Sequence, residues 1–415
     1  MQQTIEHADR HDGAHRPAEP DARRWVSALA PYREPSLVRS LVELVVTVMP
    51  LVALWLLMLA SLRYSYWLCL LLAVPAAGFL VRLFMIQHDC GHGSFFRWRR
   101  ANDWLGRTLG VLTLTPYGYW RRTHAMHHAT SGHLGRRGTG DVDTLTVREY
   151  QNLPAWRRVL YRLKRHPIVV LGLGPFYMFV LQHRLPVRLM RAGWQPWLSV
   201  MSTNLAIGAV IGLLVTLLGA RDFLLVQAPI ILLASSAGVW LFYVQHQFEH
   251  TWWAWEADWN LHTGALHGSS HYDLPPVLRW FTANIGIHHV HHLSSRIPCY
   301  RLGEALRDHP ELRGVSRLTL KESFRCLRLA LWDEDRGRLV GFRDARTSLA
   351  SGSRNDQLRA ASSASSGPPA QRPRSTHLRA ADRRLGTRLT RAPAMPSNKS
   401  SASLMQISRA DRRLG

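Results

Sequence analysis

The sequence predicts an all-α integral membrane protein, with four transmembrane helices in two hairpins and a cytoplasmic helical cap that holds a histidine-bound metal site. Three observations predict it. The apolar residues of this 415-residue chain are bunched into runs long enough to cross a bilayer, where two or three soluble domains would spread them. Many of its 16 tryptophans, among them Trp67, Trp104, Trp194, Trp197, Trp252 and Trp253, flank or begin those runs, as in the aromatic belts of a membrane interface. Three histidine clusters, HDCGH at 88–92, HAMHH at 124–128 and HHVHH at 288–292, stand between the runs.

Taken in order, residues 41–62 and 65–87 each suffice to cross a hydrocarbon layer of about 30 Å at about 1.5 Å per residue, and the two residues between them make a tight hairpin. A second hairpin is expected from 197–218 and 223–245, turning around Arg221 and Asp222. Four spans return both termini to one side. The apolar stretches 104–117 and 168–181 are too short to span and contain Gly or Pro, so interfacial or re-entrant helices are expected there. The loop 88–167 carries 14 Arg or Lys, whereas the turns inside the hairpins contribute only Arg63 and Arg221. The positive-inside rule therefore places that loop in the cytoplasm, and all three histidine clusters with it. Residues 1–35 read as a polar disordered segment without a secretory signal, 36–345 as the membrane domain, and 346–415 as a basic disordered tail.

The net charge of +24 does not imply nucleic acid, because its distribution matters more than its size. The tail holds 14 Arg or Lys against three Asp, and most other basic residues line the loops, where anionic headgroups are the natural partners. The tail also repeats itself, RAADRRLG at 379–386 and RADRRLG at 409–415, too short and polar for a solenoid. Cysteines 69, 90, 299 and 326 form no CxxC pair, which argues against a disulfide framework or a thiolate zinc site.

The chemistry lies in the histidines. A neutral imidazole offers one lone pair and is the commonest metal ligand among side chains. His88 and His92 are four apart and project from one face of a helix continuing the second run, while His124, His127 and His128 form an i, i+3, i+4 triplet that His288, His291 and His292 repeat. Each triplet is expected to grip metal from one side. Eight imidazoles suit iron, copper, nickel or zinc over the oxygen-preferring magnesium and calcium. Asp89, Asp141, Asp143, Glu249 and Asp273 lie near the clusters and are candidates to accept a ligand's second N–H, Glu249 first because it is three residues beyond His246.

These clusters resemble the three histidine boxes of the membrane fatty acid desaturases, and the strings WRRTHAMHHATSGHLGRRGTGDVDTLT, WLFYVQHQFEHT and LPPVLRWFTANIGIHHVHHLSSRIPCYRL are similar to the bacterial acyl-lipid delta-12 or omega-6 branch. The resemblance runs from about residue 35 to about 345. It implies a di-metal site of two irons in the cap, an acyl lipid of the inner cell membrane as substrate, and dioxygen with two electrons to introduce a cis double bond. It also adds His246 as a ninth ligand. No HPGG haem motif occurs, so a separate electron donor is implied, ferredoxin ahead of cytochrome b5. His133, His250, His271 and Cys299 depart from the family pattern, and those three histidines read as incidental. A di-iron membrane hydroxylase or carotenoid ketolase would use the same boxes, although the flanking strings favour desaturation. A metal transport or storage protein would set ionisable ligands inside the spans, whose central parts hold few polar groups.

Overall fold

The computed structural model describes residues 19–138, 140 and 142–345. The tail 346–415, with its repeat, lies outside the described residues, as do residues 1–18 and Asp141. Among the described residues four helices are long and apolar enough to cross a membrane: Leu37–Ser61, Tyr66–His92, Trp194–Leu218 and Ala220–His246. Among the described residues the architecture is all-α apart from two small sheets in the cap, one of three strands and one of two.

The spans begin and end where local chemistry says they should. Ser36 and Ser65 cap the first and second by accepting from the N–H groups of Arg39 and Trp67. The second is 27 residues long, about 40 Å at 1.5 Å per residue, and so overshoots a 30 Å hydrocarbon layer by roughly two turns. Those surplus turns carry the first histidine box, and Gly93, at φ +66, ends the helix in the left-handed conformation that favours glycine. The hairpin turn expected at Arg221 and Asp222 is displaced. Gly219 alone, at φ +83, separates the third and fourth spans, and Arg221 and Asp222 fall in the first turn of the fourth helix, where Asp222 faces the positive end of the helix dipole.

The second span is the structural axis, packing against the first and fourth, and it is the most enclosed of the four. An ion pair ties it to the first span: Arg82 meets Glu43, its Nε donates to Thr47 Oγ1 at 3.1 Å, and both charged groups are buried. Charges at such depth persist only when paired. The outward faces of the first and third spans, including Val38 and Leu205, are exposed and apolar, as lipid contact requires.

The short apolar stretches resolve differently from one another. The first is a helix Arg99–Leu112 that ends at Thr113 and a positive-φ Leu114, so Tyr117 already belongs to the next helix, Tyr117–Thr130, which bears the second box. The second stretch is a run of π-helical turns, Val169–Leu173 and Tyr177–Leu181, around Gly174–Phe176, packed on the fourth span. In the cap, Leu145–Thr146 pairs in parallel with Leu331–Asp333, which pairs antiparallel with Arg338–Val340, and His271–Asp273 pairs in parallel with Arg317–Thr319.

Disorder up to residue 35 does not hold for the described part of that segment. Residues Glu19–Ala28 form a helix whose Trp25, with Leu29 just beyond it, is buried against Leu266, Val290, Ile297 and Leu302. Arg33 Nε donates to Ser294 Oγ at 2.9 Å. The polar average of the segment concealed a short apolar face that braces the third histidine box.

Candidate metal centre

Nine histidines converge from four elements. His88 and His92 occupy the last turn and a half of the second span, His246 ends the fourth, His124, His127 and His128 lie on Tyr117–Thr130, and His288, His291 and His292 on the buried helix His288–Leu293. They form two groups: His88, His92, His124, His128 and His291, and His127, His246, His288 and His292, the ligand atoms within each lying within 4.8 Å of one another.

This grouping corrects the expectation that each triplet grips metal from one side. In both triplets the i and i+4 histidines join one group and the i+3 histidine joins the other. At about 100° per residue, i+4 is rotated only about 40° from i, whereas i+3 lies about 60° away in the opposite sense. Each triplet helix thus straddles the two groups, and the groups share a wall.

The Nε2 atoms are spaced as ligands of a shared ion. His124 Nε2 lies 3.0 Å from that of His88, 3.1 Å from His92 and 3.1 Å from His128, and His128 lies 3.2 Å from His291. In the second group His246 lies 3.1 Å from His127 and 3.0 Å from His288, and His292 3.0 Å from His288. Hydrogen bonds cannot satisfy this arrangement, because a ring nitrogen carries one proton or one lone pair and His124 Nε2 faces three neighbours. A cation can. With metal–nitrogen bonds of about 2.0–2.1 Å, nitrogens 3.0–3.2 Å apart are close enough to share one ion.

Electrostatics agrees with the geometry. Burial, reinforced by neighbouring imidazoles, holds His124, His128, His288, His291 and His292 well below the ordinary imidazole range. The rings therefore keep the lone pairs that metal binding needs. Nδ1 of His288, His291 and His292 has no hydrogen-bond partner among the described residues, whereas Nδ1 of His246 lies 3.3 Å from the Gly268 carbonyl.

Of the carboxylates singled out by sequence, Asp89 alone among the described residues reaches a ligand ring: its Oδ1 lies 3.4 Å from His88 Nδ1, and its Oδ2 accepts from the Cys299 N–H at 2.7 Å. Glu249 instead pairs with Arg338 at 2.7 Å, because the fourth span stops at His246 and the i+3 relation is lost with the helix. Asp273 sits on a strand and pairs with Arg317 at 2.7 Å. Asp143 is exposed, and its backbone carbonyl is what accepts from Tyr161. The incidental histidines stay outside both groups: His133 bonds Glu256 at 2.8 Å, His271 the Arg313 carbonyl at 2.8 Å, and His250 is exposed.

Two features escaped the sequence. Trp120 stacks on His124 with centroids 4.6 Å apart and planes 15° from parallel; its i, i+4 spacing was a usable signal. The other had none. A cavity of about 470 Å³ runs between the second and fourth spans, walled by Leu80, Phe84, Met85, Ile231, Val239 and Phe242, and it reaches His88 and His124 of one group and His288 of the other.

Comparison with known proteins gives concordant results. A family profile described as "Fatty acid desaturase" matches residues 64–322, which include all nine histidines. The chain is 45% identical over 321 residues, 77% of its length and 91% of the relative's, to a protein named "Fatty acid desaturase" from Bacillus subtilis (strain 168). It is 29% identical over 243 residues to the "sn-1 acyl-lipid omega-3 desaturase (ferredoxin)" of Synechocystis sp., covering 54% of this chain and 62% of the relative. To the "sn-1 oleoyl-lipid 12-desaturase" of the same organism it is 27% identical over 250 residues, 58% of this chain and 68% of the relative.

Proposed function

The chain belongs to the fatty acid desaturase family of oxidoreductases, and from that membership we propose that it introduces a cis double bond, at the delta-12 position, into an acyl chain of a membrane lipid. The observation that carries this reading is the apolar cavity that ends on both histidine groups. An acyl chain threaded through it presents adjacent methylenes to the two groups at once. The reaction consumes dioxygen, two electrons and two protons, and returns an alkene and two waters.

His88, His92, His124, His128 and His291 would hold one iron and His127, His246, His288 and His292 the other, a neutral imidazole set being one that suits iron. When bound, the two ions would supply the activation of dioxygen, the oxidant, that cleaving unactivated C–H bonds needs and no side chain provides. The protein does the rest. Leu80, Phe84, Ile231 and Phe242 exclude water from the reacting carbons and fix which pair lies over the histidines, so regioselectivity is set by the depth and bend of the cavity. Asp89 orients His88, and Trp120 holds the plane of His124.

We propose a cytoplasmic side of the cell membrane for the histidine groups and both termini, a reading supported by the basic loop 88–167 and the positive-inside rule. The same charge suits docking of an acidic electron carrier, for which ferredoxin is proposed; one Synechocystis relative bears that donor in its name. Names among the relatives span omega-3 and 12 positions, and the Bacillus name gives none, so position is a matter for direct measurement. Expression in a host whose lipids are saturated and monounsaturated, followed by acyl-chain analysis, tests the reading. A new delta-12 diene is expected. A double bond elsewhere would correct the position alone, a hydroxylated chain would replace desaturation, and unchanged lipids in cells supplied with iron and donor would refute the activity.

A further inference from the structure

On the side of the second span turned away from the acyl cavity lies a second cavity, of about 260 Å³, whose walls include Arg39, Glu43, Arg82, Arg279, Trp280 and Tyr300. We propose that it binds the phosphate of an anionic glycerophospholipid, as a lipid site separate from the metal centre. The proposal does not depend on desaturation.

Charge comes first. Three guanidiniums face one carboxylate, and Glu43 is already engaged, by Arg82 and by Arg39 Nε at 3.0 Å. Arg82 is spent on that pair, on Thr47 Oγ1 and on the Trp280 carbonyl, with its guanidinium 4.1 Å from the Trp280 ring. Arg39 and Arg279 are not. Nη1 and Nη2 of Arg39 and Nη1 of Arg279 make no hydrogen bond among the described residues. Both side chains are about half exposed, and among the described residues the one carboxylate within 4.0 Å of Arg279 is Asp273, which is held by Arg317 at 2.7 Å. Two forked cations over a partly enclosed cavity match the geometry of a phosphate oxyanion.

Surroundings decide which phosphate. Helix Pro276–Phe281, which supplies Arg279 and Trp280, exposes Val277, Leu278 and Trp280, and the first span below Arg39 exposes Val38, Leu41, Val42 and Val45. A free anion gains nothing from such flanks, whereas a phospholipid lays its acyl chains along them while its headgroup meets the arginines. The wall at Ala283 and Asn284 takes two successive left-handed φ angles, +48 and +59, a conformation found at ligand clamps.

The two cavities face different ways on the second span. Leu80, Val81, Phe84, Met85 and His88 line the acyl cavity, while Gly78, Phe79 and Arg82 meet helix Pro276–Phe281. The headgroup cavity also touches Cys299, whose N–H binds Asp89 beside the first histidine box, so an occupant would brace the segment that orients His88.

The full chain, purified in neutral detergent, is mixed with phosphatidylglycerol, phosphatidylcholine or inorganic phosphate, and retained lipid and thermal midpoint are read by native mass spectrometry and melting. Phosphatidylglycerol should be retained and stabilise, and the other two should do so weakly. At about fivefold in affinity per surface arginine, Arg39→Gln with Arg279→Gln should weaken phosphatidylglycerol binding about thirtyfold, and each single change about fivefold, with bound metal unchanged. Lysine at both positions should restore much of the loss. Equal retention of the two lipids, an equal effect of inorganic phosphate, or undiminished phosphatidylglycerol preference in the folded glutamine variants would each overturn the proposal.

Discussion

Gly238 offers a direct test of the acyl cavity. It lies on the fourth span, eight residues or about 12 Å before His246, it lines the cavity, and a Cβ built on it meets no atom within 4 Å. Gly238→Leu therefore sends a four-carbon group into the space an acyl chain must use, inside a cavity of about 470 Å³. One misfitted methylene in an apolar pocket changes discrimination by about 1–3 kcal/mol, or 10- to 200-fold, and leucine displaces several. Conversion of the native-length chain should fall at least about 100-fold, with a smaller loss for Gly238→Ala. The fold should not suffer, since replacing a mid-helix glycine removes a helix penalty of roughly 1 kcal/mol. Gas chromatography of acyl chains, with metal content measured on the same preparations, separates the two effects. A leucine variant that binds metal and desaturates the same chains at the parental rate would show that substrate takes another route.

Three further outcomes follow from the same geometry. His127→Ala should abolish product and lower metal from two ions per chain to one without loss of membrane insertion, because its group falls to three nitrogens while the other keeps five; two ions with full activity would remove the second box from the site. Asp89→Ala deletes the acceptor of the Cys299 N–H and the partner of His88, so iron affinity should drop about 10- to 100-fold in a competitive chelator titration, and unchanged affinity would deny Asp89 that orienting role. Arg82→Met leaves the buried Glu43 with the half-exposed Arg39 as its remaining cation and should cost up to about 3–5 kcal/mol in unfolding experiments, most of it recovered by adding Glu43→Leu; a harmless single change would mean that Arg39 alone suffices for Glu43.

The parts of the fold legible in sequence were those set by composition over a whole turn or a whole span. The four spans appear within a few residues of their expected ends because apolar length is a local property, and the histidine boxes stand out because three clusters of one residue type at helical spacing need no partner to be noticed. Errors arose where an outcome depended on a neighbour. Glu249 was favoured on helical spacing that the helix does not continue to provide, and residues 1–35 read as disordered from their polar average, whereas Trp25 is buried against the cap.

Sequence by itself determined the class of molecule, four apolar spans with histidine clusters between them, since hydropathy and residue type act residue by residue. Only tertiary structure decided that five histidines gather on one side and four on the other, that Asp89 is, of the sequence candidates among the described residues, the carboxylate that reaches a ring, and that a cavity opens between the second and fourth spans. The physical reason is that the 100° step of a helix fixes the angle between side chains, but what each angle points at is set by packing against helices more than a hundred residues away.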